Sequence, residues 1–198
     1  MAKIAVVFHS VCGNTYLMAK CYADYLKKQG QQVDLYRVKD ETFPELSLKF
    51  ESSRVYREEI MQIPVVGSGK DLTSYDALFL GSPTYYGCVS AQMKAFMDSF
   101  CDIWVDALMA GKYFGCFATS GDLFGGSELC MQVMNTFAQH MGMVNISVPC
   151  NIQGKPQPAY GVTHTTGAMS DQRMDDEVKQ AVESYLDYAL SIIDGKKA

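Results

Sequence analysis

Short apolar runs alternate with stretches of helical period along most of the chain. Ile4-Ala5-Val6-Val7-Phe8 is apolar throughout, which predicts a strand covered on both faces. Met18, Ala19, Tyr22, Ala23 and Leu26 follow at helical spacing and predict a helix from about residue 15 to 29, stopped by Gly30. Further strands are predicted at 33–36, 77–81, 113–118 and 144–148. Between them, Ser90 caps a helix carrying Met93, Phe96, Met97 and Phe100 on one face. Gly125-Gly126-Ser127 opens another, with Cys130, Met134, Phe137 and Met141 turned inward and Gly142 at its end. The last helix is predicted from about 172 to 193. Asp175, Asp176 and Glu177 stand in its first turns and Lys196-Lys197 beyond its end, as the helix dipole favours. Such alternation predicts one α/β domain over residues 1–198, a five-stranded parallel sheet with helices on both faces. Two segments break the rhythm. Residues 37–68 hold Pro44, Pro64 and Gly67 and predict a long connection with one short helix near 54–61. Residues 149–170, with Pro149, Pro156 and Pro158 among several glycines, predict an irregular excursion of functional or interfacial character.

Composition narrows the classes. Hydrophobic residues make up 48% of the chain and charged ones 20%, as in a compact folded protein. A net charge of −5 without a basic cluster argues against nucleic-acid binding. No apolar run reaches membrane-spanning length, and the apolar start is too brief for a signal sequence. The seven cysteines are odd in number and lack Cys-x-x-Cys spacing, so neither a disulfide framework nor a metal or iron–sulfur centre is expected. Free thiols in that number suit a reducing compartment, the cytoplasm.

In a parallel sheet of this kind, ligands bind beyond the carboxyl ends of the strands. Three loops there have unusual composition. Ser10-Val11-Cys12-Gly13-Asn14-Thr15 follows the first strand; its hydroxyls, glycine and asparagine let the backbone curl, so that N–H groups and a helix N-terminus face an anion such as a phosphomonoester. It matches neither the dinucleotide nor the P-loop glycine pattern, and an ordinary capped turn is the plain alternative. Gly81-Ser82-Pro83-Thr84-Tyr85-Tyr86-Gly87 follows the third strand and places two aromatics beside a stiffened turn, suited to a flat ring. Paired tyrosines also occur as simple surface packing. Thr119-Ser120-Gly121-Asp122-Leu123-Phe124-Gly125-Gly126 follows the fourth strand and is small, polar and glycine-rich. Together the three suggest a phosphate subsite and a ring subsite on one sheet edge.

At these residues the chain resembles the flavodoxin-like FMN proteins, and most closely the WrbA (tryptophan-repressor-binding-protein) type of NAD(P)H:quinone oxidoreductase. The resemblance extends over nearly the whole chain. Besides the loops it rests on Ser90-Ala91-Gln92-Met93-Lys94-Ala95-Phe96-Met97-Asp98, Trp104, Gly125-Gly126-Ser127-Glu128, His140-Met141-Gly142-Met143 and Pro158-Ala159-Tyr160-Gly161. It implies a flavodoxin-like three-layer sandwich with strand order 2-1-3-4-5. FMN phosphate would sit on Ser10 to Thr15, and its ring on Pro83, Thr84, Tyr85, Tyr86 and Gly87 and on Thr119, Ser120, Gly121, Asp122, Gly125 and Gly126. His140 would approach the flavin from a neighbouring subunit, and Trp104 would border the substrate pocket. It also implies an NADH or NADPH donor, a quinone-like acceptor and a homodimer or homotetramer. An electron carrier of flavodoxin type, without its own small-molecule turnover, is the alternative. Three departures concern the nucleotide and ring sites: Cys12 where the family commonly has tyrosine, Tyr85-Tyr86 where it has Arg-Phe, and Asp122 in a longer third loop.

Single residues read more plainly. Val11-Cys12-Gly13-Asn14 resembles the loop of low-molecular-weight phosphotyrosine phosphatases, but the arginine which that chemistry needs does not follow. Taken alone, His140 reads as a satisfied helix-end histidine and Trp104 as core or interface packing. The three scattered histidines form no metal motif.

Overall fold

The computed structural model describes residues 1–195; the predicted Lys196-Lys197 dipole contribution lies outside them. The strands β1 (Lys3–Phe8), β2 (Gln32–Arg37), β3 (Ala77–Pro83), β4 (Tyr113–Ser120) and β5 (Val144–Asn145) form a parallel sheet in the order β2-β1-β3-β4-β5. β1, β3 and β4 are buried nearly throughout because helices cover both faces, whereas β2 at the edge is only partly buried.

Alternate strand residues feed two cores. Ile4, Val6, Phe8, Phe79 and Phe117 pack against α1 (Asn14–Lys28) and the final long helix, where Tyr22 and Tyr185 are fully buried. Val7, Leu78, Leu80, Phe114 and Cys116 face the other way. They meet the predicted faces of the helices that follow β3 and β4: Met93, Phe96 and Met97, then Cys130, Met134 and Met141. The 37–68 connection holds three short helices rather than one: α2 (Phe43–Leu46), α3 (Glu51–Arg54) and α4 (Arg57–Gln62). Beyond β3 come α5 (Ala91–Asp98), capped by Ser90 as expected, and the single turn α6 (Cys101–Trp104). α7 (Ser127–His140) follows β4, and α8 (Asp176–Ile193) ends the described chain.

Two further expectations are corrected. The fifth strand, expected over 144–148, pairs with β4 only at Val144 and Asn145. Ile146 still donates to Phe114 O, and then the chain leaves the sheet just before Pro149, which has no N–H to offer. It returns inside the supposed irregular excursion as β6 (Val162–Thr165), parallel to Phe117–Ser120 of β4. The fifth position of the sheet is thus built from two pieces. Gly161 sits at the re-entry, where a Cβ would come 2.3 Å from the carbonyl oxygen of Cys116. The last helix begins at Asp176 rather than near 172, because Asp175 caps it by accepting from Val178 N at 2.8 Å. The residues before that cap are held elsewhere: Gln172 N donates to Thr166 O, and Gln172 O accepts from His164 Nε2 at 2.9 Å.

Candidate functional site

The carboxyl ends of β1, β3 and β4 and the segment after β6 converge on one cavity of about 140 Å³. Ser10, Val11, Cys12, Asn14 and Thr15 line it from the first loop, Pro83, Thr84 and Tyr85 from the second, and Thr119, Ser120 and Gly121 from the third. Thr166 and Ser170 close it, and they were missing from the predicted set. The alternating β-branched run Val162-Thr163-His164-Thr165-Thr166 carried the signal that could have found them, as a strand end feeding the same edge.

Hydrogen bonds tie the loops together. The hydroxyls of Thr15 and Thr119 meet at 2.8 Å, and Thr84 N donates to Thr119 O at 2.7 Å. Asn14 Nδ2 donates to Ser170 O at 2.8 Å, while Thr166 N donates to Ser120 O at 2.8 Å. Gly126 has φ +83 and approaches the second loop so closely that a Cβ would lie 2.9 Å from Gly87 Cα. Gly13 has φ +88 and precedes α1 without a side-chain cap. Among the described residues, the backbone N–H groups of Asn14, Thr15 and Tyr16 meet no acceptor. These are the first donors of a 15-residue helix, the position where an anion is favoured. Thr84 Oγ1 is buried and likewise without a hydrogen-bond partner.

The third loop folds on itself. Asp122 accepts from Phe124 N at 2.7 Å through its carboxylate, and from Gly125 N and Ser120 Oγ through its carbonyl, so it shapes the turn at the rim. Around the mouth stand exposed apolar side chains: Tyr85, Tyr86, Leu123 and Phe124, the last 93% exposed. A small cavity lined by uncharged, mostly polar residues, with exposed apolar side chains at its rim, is the combination present.

Trp104 and His140 lie elsewhere. Trp104 Nε1 donates to His140 O at 2.9 Å, so the two are neighbours. His140 closes α7, whose 14 residues put it about 20 Å from the cavity end of that helix, near the amino ends of β4 and β5. Within one chain neither residue reaches the cavity.

Two histidines are held by hydrogen bonds. His9 is buried and donates through Nε2 to Asp40 Oδ2 at 2.9 Å. Burial pushes the Asp40 carboxyl up, but hydrogen bonds from His9 and from the Thr42 hydroxyl and N–H outweigh it and hold Asp40 well below its ordinary value. Burial lowers His164, against its bond to Gln172 O. Among the described residues, no group of three His, Cys, Asp or Glu side chains could hold a metal ion. No described helix is long and apolar enough to cross a membrane.

Residues 2–155 match the family described as NADPH-dependent FMN reductase. An NAD(P)H dehydrogenase (quinone) from Archaeoglobus fulgidus is 35% identical over 151 residues, covering 75% of this chain and 78% of that protein. The protein of the same name from Azorhizobium caulinodans is 30% identical over 188 residues, 91% of each chain. Among solved structures, the flavodoxin, WrbA-like protein from Agrobacterium tumefaciens superposes with a TM-score of 0.66 at 20% identity, covering 100% of both chains. Oxidised Flavodoxin 1 from Bacillus cereus gives 0.63 at 14% identity, covering 95% of this chain and 97% of that one. The fold is therefore flavodoxin-like, and by the extent of its sequence match the chain belongs to the NADPH-dependent FMN reductase family.

Proposed function

We propose that this protein is an NAD(P)H-dependent FMN oxidoreductase that passes electrons to a quinone-like acceptor. One observation carries the reading: unsatisfied donors (the N–H groups of Asn14, Thr15 and Tyr16 and the buried hydroxyl of Thr84) cluster in and beside one uncharged cavity beneath an aromatic shelf. That donor set fits a flavin mononucleotide. FMN, when bound, supplies reversible hydride acceptance from a nicotinamide. In this reading Ser10, Gly13, Asn14 and Thr15 hold its phosphate. Thr84, Tyr85 and Tyr86, with Thr119 to Asp122, seat the ring, and Pro83, Gly87, Gly125 and Gly126 shape the loops that do so. Trp104 and His140 would reach the acceptor side only from another copy of the chain, in a dimer or tetramer. The names of the curated relatives support a quinone acceptor, and seven free cysteines suit the cytoplasm.

An anaerobic titration of the FMN-loaded protein with NADH and with NADPH, followed by flavin absorbance, tests this. Prompt bleaching by either nucleotide and recovery on adding a benzoquinone is expected. Flavin that stays oxidised with both nucleotides, yet bleaches with dithionite, would make the protein an electron carrier instead.

A further inference from the structure

The cavity walls carry no charge, yet a phosphomonoester bears close to two negative charges at neutral pH. The chain provides a cation directly behind the first loop. Arg173, three residues short of α8, donates through Nη1 to Cys12 O at 2.7 Å, Asn14 Oδ1 at 3.0 Å and Ser170 O at 3.3 Å. Its Nη2 donates to Ser52 O at 3.0 Å, and the guanidinium lies 5.1 Å from the centre of the Tyr56 ring. Every one of these acceptors is neutral. Among the described residues Arg173 forms no salt bridge, so no carboxylate is paired directly with its charge.

Arg173 also shapes the loop. By holding Cys12 O on the outer side, it orients the Cys12–Gly13 peptide, whose N–H turns to Ser10 Oγ at 3.2 Å. Gly13 then takes its left-handed conformation under the Tyr56 ring, where a Cβ would lie 2.5 Å from Cδ2. The N–H groups of Asn14, Thr15 and Tyr16 are left free. Asn14 is held from both ends, Oδ1 by Arg173 and Nδ2 by Ser170 O.

We propose that Arg173 is a positioning residue for the phosphate half of the flavin. It locks the loop 10–15 in its anion-binding shape and supplies the positive charge that the cavity walls lack, so that the protein selects FMN over unphosphorylated riboflavin. The inference rests on the FMN reading above. A guanidinium that merely tied α8 to the rest of the fold would weaken both flavins together when removed; one that acts on the phosphate weakens FMN alone.

The test titrates flavin-free full-length protein with FMN and with riboflavin, following quenching of flavin fluorescence. For the unaltered protein, FMN is expected to bind much more tightly than riboflavin. Arg173→Met removes the charge-assisted bonds that hold Cys12 O and Asn14 Oδ1 and is expected to weaken FMN by about 30-fold, while riboflavin stays within about threefold. Arg173→Lys keeps the charge but not the fork. It is expected to weaken FMN by about tenfold, again with riboflavin little changed, and it carries the test if Arg173→Met does not fold. Equal loss for both flavins, or no loss of FMN, overturns the role of Arg173. Unaltered protein that binds both flavins equally overturns this inference but leaves the FMN reading intact. Protein that binds neither flavin overturns both.

Discussion

The first loop depends on one backbone conformation. Gly13 is left-handed, and any side chain there would also press on Tyr56. Gly13→Ala is therefore expected to lower stability by about 1–3 kcal/mol in urea unfolding and to weaken FMN. An unchanged unfolding midpoint would show that the loop adapts freely. A second expectation concerns acid. Because the folded state holds Asp40 below its ordinary value, the stability it contributes is complete above the unfolded carboxyl pKa of about 4 and is lost as the pH falls below it. Asp40→Asn should flatten the acid side of a stability–pH profile measured between pH 7 and 2; an unaltered slope would remove Asp40 from that account. The loop residues were legible in the sequence because small polar residues after apolar runs have little other reason to cluster there. The partners of Arg173 were not, since Cys12 and Ser52 lie 161 and 121 residues away from it. No local pattern encodes a contact of that separation.

Among the elements, the helices were the most readable. Their buried faces match the expected spacing in α1, α5 and α7, because one apolar stripe at a 3.6-residue period suffices to identify them. The outer strand was harder to read, because two short pieces share one sheet position, and the alternation at Val162–Thr165 spans only four residues inside a segment rich in proline and glycine. β6 depends on the close passage of Gly161 over the Cys116 carbonyl. Gly161→Ala is expected to cost about 1–3 kcal/mol through overpacking and to speed amide exchange at Val162 to Thr165 relative to β1 and β3. If those amides remain as protected as the centre of the sheet, the re-entry tolerates a side chain. Because Thr166 and Ser170 line the cavity just beyond β6, the same variant should also loosen flavin binding.

At the scale of the whole molecule, exposed apolar side chains gather at both ends. Tyr86, Leu123 and Phe124 ring the cavity mouth, while Trp104, Val105 and Leu108 lie toward the opposite end of the sheet. On the proposed function, such surfaces are expected to meet further copies of the chain, which would bring Trp104 and His140 to the acceptor side. Sedimentation is expected to show two or four copies per particle, and Phe124→Ser together with Leu123→Ser should shift the population toward the monomer. A monomer at micromolar concentration would count against the shared site. The sequence by itself determined the parallel sheet, its strand order by family resemblance, the two-sided core and the three loops at one edge. Apart from the strand order, each of these follows from local periodicity or from composition at strand ends. Tertiary structure alone decided which side chains complete the cavity and what lies behind it. The split fifth strand carries Thr166 to the third loop and Ser170 and Arg173 to the first, while the length of α7 carries His140 about 20 Å away, where Trp104 of α6 meets it. Such placements come from how packed elements return to one another through space, which neighbours along the chain do not record.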